Sequence, residues 1–352
     1  MVMRQILTAL VGGDRAERLL STALLPPALA GEEQPRGQVD RATAAVAVGL
    51  VLFDDLLERV PSGARYVEGQ RAAGRPVVLD HGAVRTVDGC SCGALPPGVE
   101  SLRRVLVPLG YEEAGRYPLD RIHMTGKVFT HVDLPQDVLQ YFVSELHVDR
   151  LPPSAQEAAE RVVGASADPL TSDVVGLLDR LAARGRLPVD DAVRLVRGVA
   201  RCFGRHHPDP RLDDYETLRE ASAEMAWIAT EGTAFNHATD RVPDVDALAE
   251  SLRADGTWPI KDTVERSGSG RVRQTALRAD PVVRRFRLDG GDVVEQEVPG
   301  SFFEFISRDP LPDTDGVLDL AFDASNAQGI FAMTRSGAAG VPDAPGAADQ
   351  RE

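Results

Sequence analysis

Cysteine is scarce: the 352 residues contain only Cys90, Cys92 and Cys202, too few and odd in number for a disulfide scaffold. Two of them form Cys-x-Cys, too close for an ordinary zinc pair unless a second pair lies elsewhere. Reduced thiols and a cytosolic (cytoplasmic) compartment are therefore expected. Positive charge is also in deficit, with 39 Lys+Arg against 54 Asp+Glu and a formal net charge of −15. Nucleic-acid binding needs a basic face, so no such partner is expected. Long apolar runs are missing. The longest, residues 42–53, falls short of the roughly 20 residues that span a bilayer and reads as a buried helix, so no membrane partner is expected. The opening MVMRQILTALVGGDRAERLL breaks its apolar stretch early and continues into charge, unlike an export signal. No Gly-x-Ser-x-Gly elbow occurs, and SGSG at 267–270 lacks the Lys-Ser/Thr of a phosphate loop, so it reads as a turn. What is present is 43% hydrophobic content over a length suited to one large or two moderate domains, which excludes wholesale disorder.

The pattern divides the chain. Residues 1–60 read as a helical region with a loop at 26–37, where Pro, Gly and charge cluster. Residues 61–150 read as a first β-rich module. There RPVVLDHGAVRTV is a strand, Val99, Leu102, Val105 and Leu106 fall at helical spacing, and HMTGKVFTHVDL is a strand or hairpin. Pro135 is expected to open a helix carrying Val138, Leu139, Phe142 and Leu146, with His147 at its end. Residues 151–231 read as a helical insertion, because DVVGLLDRLAARG and VDDAVRLVRGVARCF are amphipathic at helical period. Residues 232–335 read as a second β-rich module. Asp244 is a helix N-cap with Gly256 past the end, and Asp289-Gly290-Gly291 joins two alternating runs as a hairpin. Residues 336–352, rich in Ala, Gly, Pro and Asp, read as a disordered tail.

The seven histidines can be weighed singly. His81 and Arg85, four apart on a strand, share one face with Cα atoms about 13 Å apart. A metal at His81 would hold one end of a small ligand while Arg85 reaches its anionic end. His237 begins the second module, and Glu304 in SFFEFISR shares a strand face with Phe302 and Arg308. A carboxylate among aromatics is costly unless a cation pairs with it. Two histidines and one carboxylate on separate strands would form a set that leaves open positions on Fe(II). Spacing alone does not single out this triad, since lone strand histidines are commonly structural. His206-His207 with Cys202 reads as an exposed turn, and His123 and His131 read as core or surface residues.

Several segments together resemble the 2-oxoadipate dioxygenase/decarboxylase (hydroxyglutarate synthase) family. They are VVLDHGAVRTV, PLGYEEAGRY, THVDLPQDVLQYFVSELH, FNHATDRVPDVDAL, RVRQTALRAD and PGSFFEFISRD, in the family's order across most of residues 65–310. The resemblance implies an α+β fold of two β-rich, vicinal-oxygen-chelate-like modules around a metal-centred β cavity, with N-terminal helices and an inserted helical region. It implies non-haem Fe(II) held by His81 of the D-H-x-x-x-R pattern, His237 of N-H-x-T and Glu304 of the last strand. Arg85 becomes the substrate-carboxylate ligand, and Arg273 and Gln274 are further substrate-binding candidates. Glu295 and Glu297 are rivals to Glu304, although their hairpin is polar. The implied activity is oxidative decarboxylation and hydroxylation of a 2-oxo acid with O2, of the type that converts 2-oxoadipate to 2-hydroxyglutarate. Two other readings stand beside it: a metal-dependent isomerase, lyase or ring-cleaving enzyme on the same fold, and a non-catalytic carboxylate-binding protein.

Overall fold

The two stretches rich in β-branched and aromatic residues fold as the same unit twice. In a computed structural model of the chain, which describes residues 2–30 and 37–323, the first unit runs strand Leu79–Asp88, helix Glu100–Leu106, then strands Tyr111–Leu119, Met124–His131 and Gln140–His147. The second runs strand His237–Arg241, helix Val245–Asp255, then strands Glu265–Arg266, Val272–Ala276 and Phe302–Arg308. In both units the spatial order is first, last, third, second, and together they make one eight-stranded sheet. Each first strand lies parallel to its unit's last strand. The two first strands meet antiparallel at the centre, with Gly82 opposite Ala238.

This register defines a pseudo-twofold relation. Advancing along each chain from the Gly82–Ala238 pair makes His81 equivalent to His237 and Ala83 equivalent to Thr239. On the parallel neighbours, Phe142 beside Ala83 corresponds to Glu304 beside Thr239.

Strand alternation sends successive side chains to opposite faces. Val84, Tyr141, Val143, Phe303 and Phe305 join the main core with Leu50 and Phe53 of the helix Arg41–Arg59. That helix is buried through most of its length, as its apolar run requires. The opposite face carries His81, Arg85, Phe142 and Glu304 and encloses a cavity. At one end of that face a second core forms, in which helices Pro153–Val163, Leu212–Ala221 and Ala223–Glu231 pack with Phe286 and Val298 of a separate two-stranded ribbon. The ribbon, Pro281–Arg287 with Val293–Pro299, turns at Asp289–Gly291, where Gly290 and Gly291 take φ of 88° and 94°. Asp244 caps its helix by accepting from the N–H groups of Asp246 and Ala247. Among the described residues no helix is long and apolar enough to cross a membrane.

Two expectations change, and one strand is added. Residues 140–147 form a strand, not part of a helix opened by Pro135, and His147 ends that strand. Every residue from Gln140 to Leu146 is buried, so the strand lacks alternation, and its apolar positions mimic a helical stripe. Pro61–Ala72 is a helix with Pro61 in its first turn, so the first strand of the first unit begins only at Leu79. Tyr111–Leu119, charged and largely exposed, is an edge strand against Met124–His131. The expected tail at 336–352 lies outside the described residues, as does half of the expected loop at 26–37, of which 27–30 form a short helical turn.

Gly82 marks the closest approach at the sheet centre. A Cβ there would stand 2.4 Å from Cζ and 2.5 Å from Cε2 of Phe235, whose ring is 1% exposed and fixed in the core. Gly82→Ala is expected to lower stability by about 1–3 kcal/mol, read by urea denaturation.

Candidate metal centre

Three side chains that could hold a metal ion converge from three neighbouring strands. His81 and His237 are pseudo-twofold mates on the central pair, and Glu304 comes from the strand beside His237. One donor atom from each lies within 4.8 Å of the others, and all three residues are buried. His237 Nε2 is 2.9 Å from Glu304 Oε2, and His81 Nε2 is 3.9 Å from the same oxygen. The imidazole rings stand nearly perpendicular, at 85°, with centroids 5.5 Å apart.

Each histidine is oriented by the residue before it. Between Leu79 and His81 the register slips by one residue, so Asp80 occupies a β-bulge and its carboxylate reaches the ring of its neighbour. His81 Nδ1 donates to Asp80 Oδ1 at 2.8 Å. Asp80 is acceptor-only when ionised, which puts the proton on Nδ1 and turns the Nε2 lone pair inward. Burial alone would raise the Asp80 carboxyl, but the Arg308 charge and His81 hold it well below the usual carboxylate range. Asn236 Oδ1 lies 3.3 Å from His237 Nδ1 and favours the same tautomer there.

The consequence is electrostatic. Burial pushes the His237 imidazole below its ordinary value and so favours its neutral form. Burial opposes ionisation of Glu304, and positive charge at the neighbouring imidazole nitrogens is what outweighs it and draws that carboxyl down. Two imidazole nitrogens and a carboxylate thus face one point, His81 Nε2 also lying 3.1 Å from the Thr239 hydroxyl, and among the described residues neither Glu304 oxygen receives a hydrogen bond. Such a point calls for a cation. Two donors about 2.1 Å from one ion at right angles are about 3 Å apart, so these side chains fit a divalent metal with small adjustment of His81. The pseudo-twofold mate of Glu304 is Phe142, which supplies no donor, so among the described residues the set stops at three and leaves positions for other ligands.

The surrounding cavity encloses about 440 Å3, including its mouth, between Ala83, Arg85, Phe142, Ser144, Gln274 and Phe322. Arg85 is 1% exposed and holds its guanidinium 4.8 Å from the Trp227 ring centroid. Gln274 faces the cavity, whereas Arg273, one residue earlier, points away and pairs with Asp309 at 2.9 Å and Asp246 at 3.7 Å. Glu295 and Glu297 are exposed on the ribbon, which joins no strand of the main sheet. Trp227, Ser144 and Phe322 had no sequence signal as site residues. Phe322 is distinctive only as an aromatic in a stretch rich in Asp and Pro.

The other histidines do not join the centre. A second cluster of Asp88, Glu145 and His147 already holds a cation, because Lys127 Nζ reaches Glu145 at 3.1 Å and the Val99 N–H donates to it at 2.8 Å. His131 is buried against the Leu109 carbonyl, and His123 sits at a turn with φ of 54°. His206 and His207 are not an exposed turn: His207 is 7% exposed, with Nε2 3.0 Å from the Ala229 carbonyl oxygen. Burial lowers His207 to about 4. Its unfolded value is near 6.5, so the unfolded chain binds the extra proton between these limits, and stability is lost as pH falls from about 6.5 to 4. Asp240, raised to about 6 by burial, acts in the opposite sense, so the difference between proteins is the useful readout. Wild type minus His207→Gln should lose on the order of 3 kcal/mol across that window, measured by urea denaturation at stepped pH.

The family model for 2-oxoadipate dioxygenase/decarboxylase matches residues 51–332. A curated 2-oxoadipate dioxygenase/decarboxylase, chloroplastic/amyloplastic, from Oryza sativa subsp. japonica is 23% identical over 308 residues, covering 79% of this chain and 75% of the relative. Among solved structures, a glyoxalase-superfamily protein from Ralstonia eutropha JMP134 superposes with a TM-score of 0.87 at 49% identity, covering 92% of this chain and 98% of that one. Hydroxyglutarate synthase from Oryza sativa, in complex with 2-oxoadipate, gives 0.65 at 20% identity over 90% of this chain and 95% of its own. The fold is that of the glyoxalase, or vicinal-oxygen-chelate, proteins.

Proposed function

Since the chain belongs to the 2-oxoadipate dioxygenase/decarboxylase family, we propose that it is an Fe(II)- and O2-dependent enzyme that oxidatively decarboxylates and hydroxylates a 2-oxo acid. The observation that carries this reading is the three buried donors, His81, His237 and Glu304, aimed at one point with no fourth protein ligand at the pseudo-twofold position. When bound there, ferrous iron supplies the redox chemistry with O2 that side chains cannot. Arg85 holds an anionic end of the substrate, its fork matching a carboxylate. Gln274 and Ser144 offer polar contacts along the cavity, while Phe142 and Phe322 exclude water from the reacting end. A 2-oxo acid of the 2-oxoadipate kind suits this arrangement, with its oxo-acid head at the donors and its other carboxylate toward Arg85.

Oxygen uptake by the Fe(II)-loaded protein across a panel of 2-oxo acids, with products identified, tests the proposal. One 2-oxo acid is expected to drive uptake of one O2 per CO2 released and to yield the hydroxy acid one carbon shorter. Turnover should fall to background without O2 or with Zn(II) in place of iron. Turnover that survives anaerobically or with Zn(II) would instead identify an isomerase or lyase.

A further inference from the structure

Arg308 is buried with a side chain 0% exposed, and it touches both the metal centre and the cover of the cavity. Toward the centre, Nε donates to Asp80 Oδ2 at 2.9 Å and Nη2 donates to Asp80 Oδ1 at 2.9 Å, and that same carboxylate orients His81. Toward the cover, Nη1 donates to the carbonyl oxygens of Asp319 and Ala321 at 2.8 and 3.0 Å. The segment so held continues into Phe322, whose ring stands edge-on to His81 with centroids 4.8 Å apart and 5.1 Å from the Arg308 guanidinium carbon. The Phe322 N–H donates to the Tyr117 hydroxyl at 3.2 Å, which ties the segment to the far edge of the sheet.

We propose that Arg308 is a positioning residue that couples the cover, residues 319–322, to the orientation of the metal ligand His81, so that metal binding and cover docking favour each other. This rests on the metal reading above. A guanidinium has donors enough to serve both sides at once, and its planar fork fixes their relative angle. Loss of the two carbonyl contacts frees the fork to rotate away from Asp80, and His81 then loses both its oriented acceptor and the ring packed on its face. Conversely, a metal on Nε2 fixes the imidazole and with it the Asp80–Arg308 fork. Coupling of two equilibria is reciprocal, so each side must stabilise the other by the same factor.

The test uses the full chain, titrated with Co(II) against a chromophoric chelator, together with hydrogen exchange at the amides of Ala321 and Phe322. Both amides have acceptors, Asp319 Oδ1 and the Tyr117 hydroxyl, so both are expected to be protected. In the wild type, Co(II) should slow their exchange by about fivefold or more. Arg308→Lys, which cannot span both sides, should weaken Co(II) binding about 10–100-fold and remove that slowing. Phe322→Ala leaves the buried ion pair intact and should weaken Co(II) binding about fivefold or more, with faster exchange at Ala321. A role in stability alone would lower the unfolding midpoint while leaving Co(II) affinity unchanged in both variants, and that result overturns the proposal. Wild-type protein that binds Co(II) with no change at the two amides also overturns it, with the metal reading intact. Wild-type protein that takes up no divalent ion overturns both.

Discussion

Replacing either central histidine, His81→Ala or His237→Ala, is expected to weaken Co(II) or Fe(II) binding by more than about 100-fold and to take turnover to background. The lower bound follows from outer partners of metal ligands, whose loss already costs about 10–100-fold in affinity. Glu304→Gln is the sharper variant because it keeps volume and burial while removing the negative charge. It should also lose metal, since an amide oxygen offers a divalent ion no net charge in a site buried to 1% exposure. Anaerobic metal titration by equilibrium dialysis checks all three, with circular dichroism confirming the fold. Metal affinity in Glu304→Gln equal to wild type would remove the carboxylate from the set and with it the argument from converging electron pairs. Arg85→Ala has a different expected signature: metal stays bound and binding of the 2-oxo acid is lost.

His81 and Arg85 were legible as a pair because strand periodicity alone puts residues four apart on one face, and both line the cavity. Glu304 was legible because its parity separates it from Phe303 and Phe305, which turn into the main core. The two β-rich modules were legible as a repeated pattern, but the residue-by-residue correspondence between them was not. The two units share strand order and the device of orienting each histidine by its preceding residue, yet equivalent positions hold unlike residues: Asp80 against Asn236, Ala83 against Thr239, Phe142 against Glu304. Backbone register carries the symmetry, and composition does not. The strand at 140–147 was misread for a related reason. A strand buried on both faces loses the alternation that would identify it, and only its β-branched and aromatic content distinguishes it from a buried helix. Asp80 was noted as a motif residue, but its partner Arg308 lies 228 positions away, a separation no local pattern spans.

That long-range pair predicts the largest loss of stability. Asp80 and Arg308 are 1% and 0% exposed, and Arg241 Nη1 stands 3.8 Å from the same carboxylate. Exposed ion pairs contribute little, whereas removing one member of a buried pair leaves a charge with neither partner nor water and costs about 3–5 kcal/mol. Asp80→Ala should therefore be destabilised by about that amount in urea denaturation of the metal-free protein. The pseudo-twofold mate supplies the control. Asn236 is neutral and its contact with His237 is longer, at 3.3 Å, so Asn236→Ala should cost only about 1 kcal/mol. Asp80→Leu combined with Arg308→Met separates the two contributions that Asp80 makes. An apolar pair of similar volume removes the stranded charge and should recover most of the lost stability. It cannot restore an acceptor for His81 Nδ1, so metal affinity should remain depressed by about 10–100-fold in the double variant. Stability that returns without metal affinity would show that the Asp80–Arg308 pair orients the ligand separately from what it contributes to stability. Recovery of both would mean that the fold alone aims His81, and that the bulge at Asp80 serves packing.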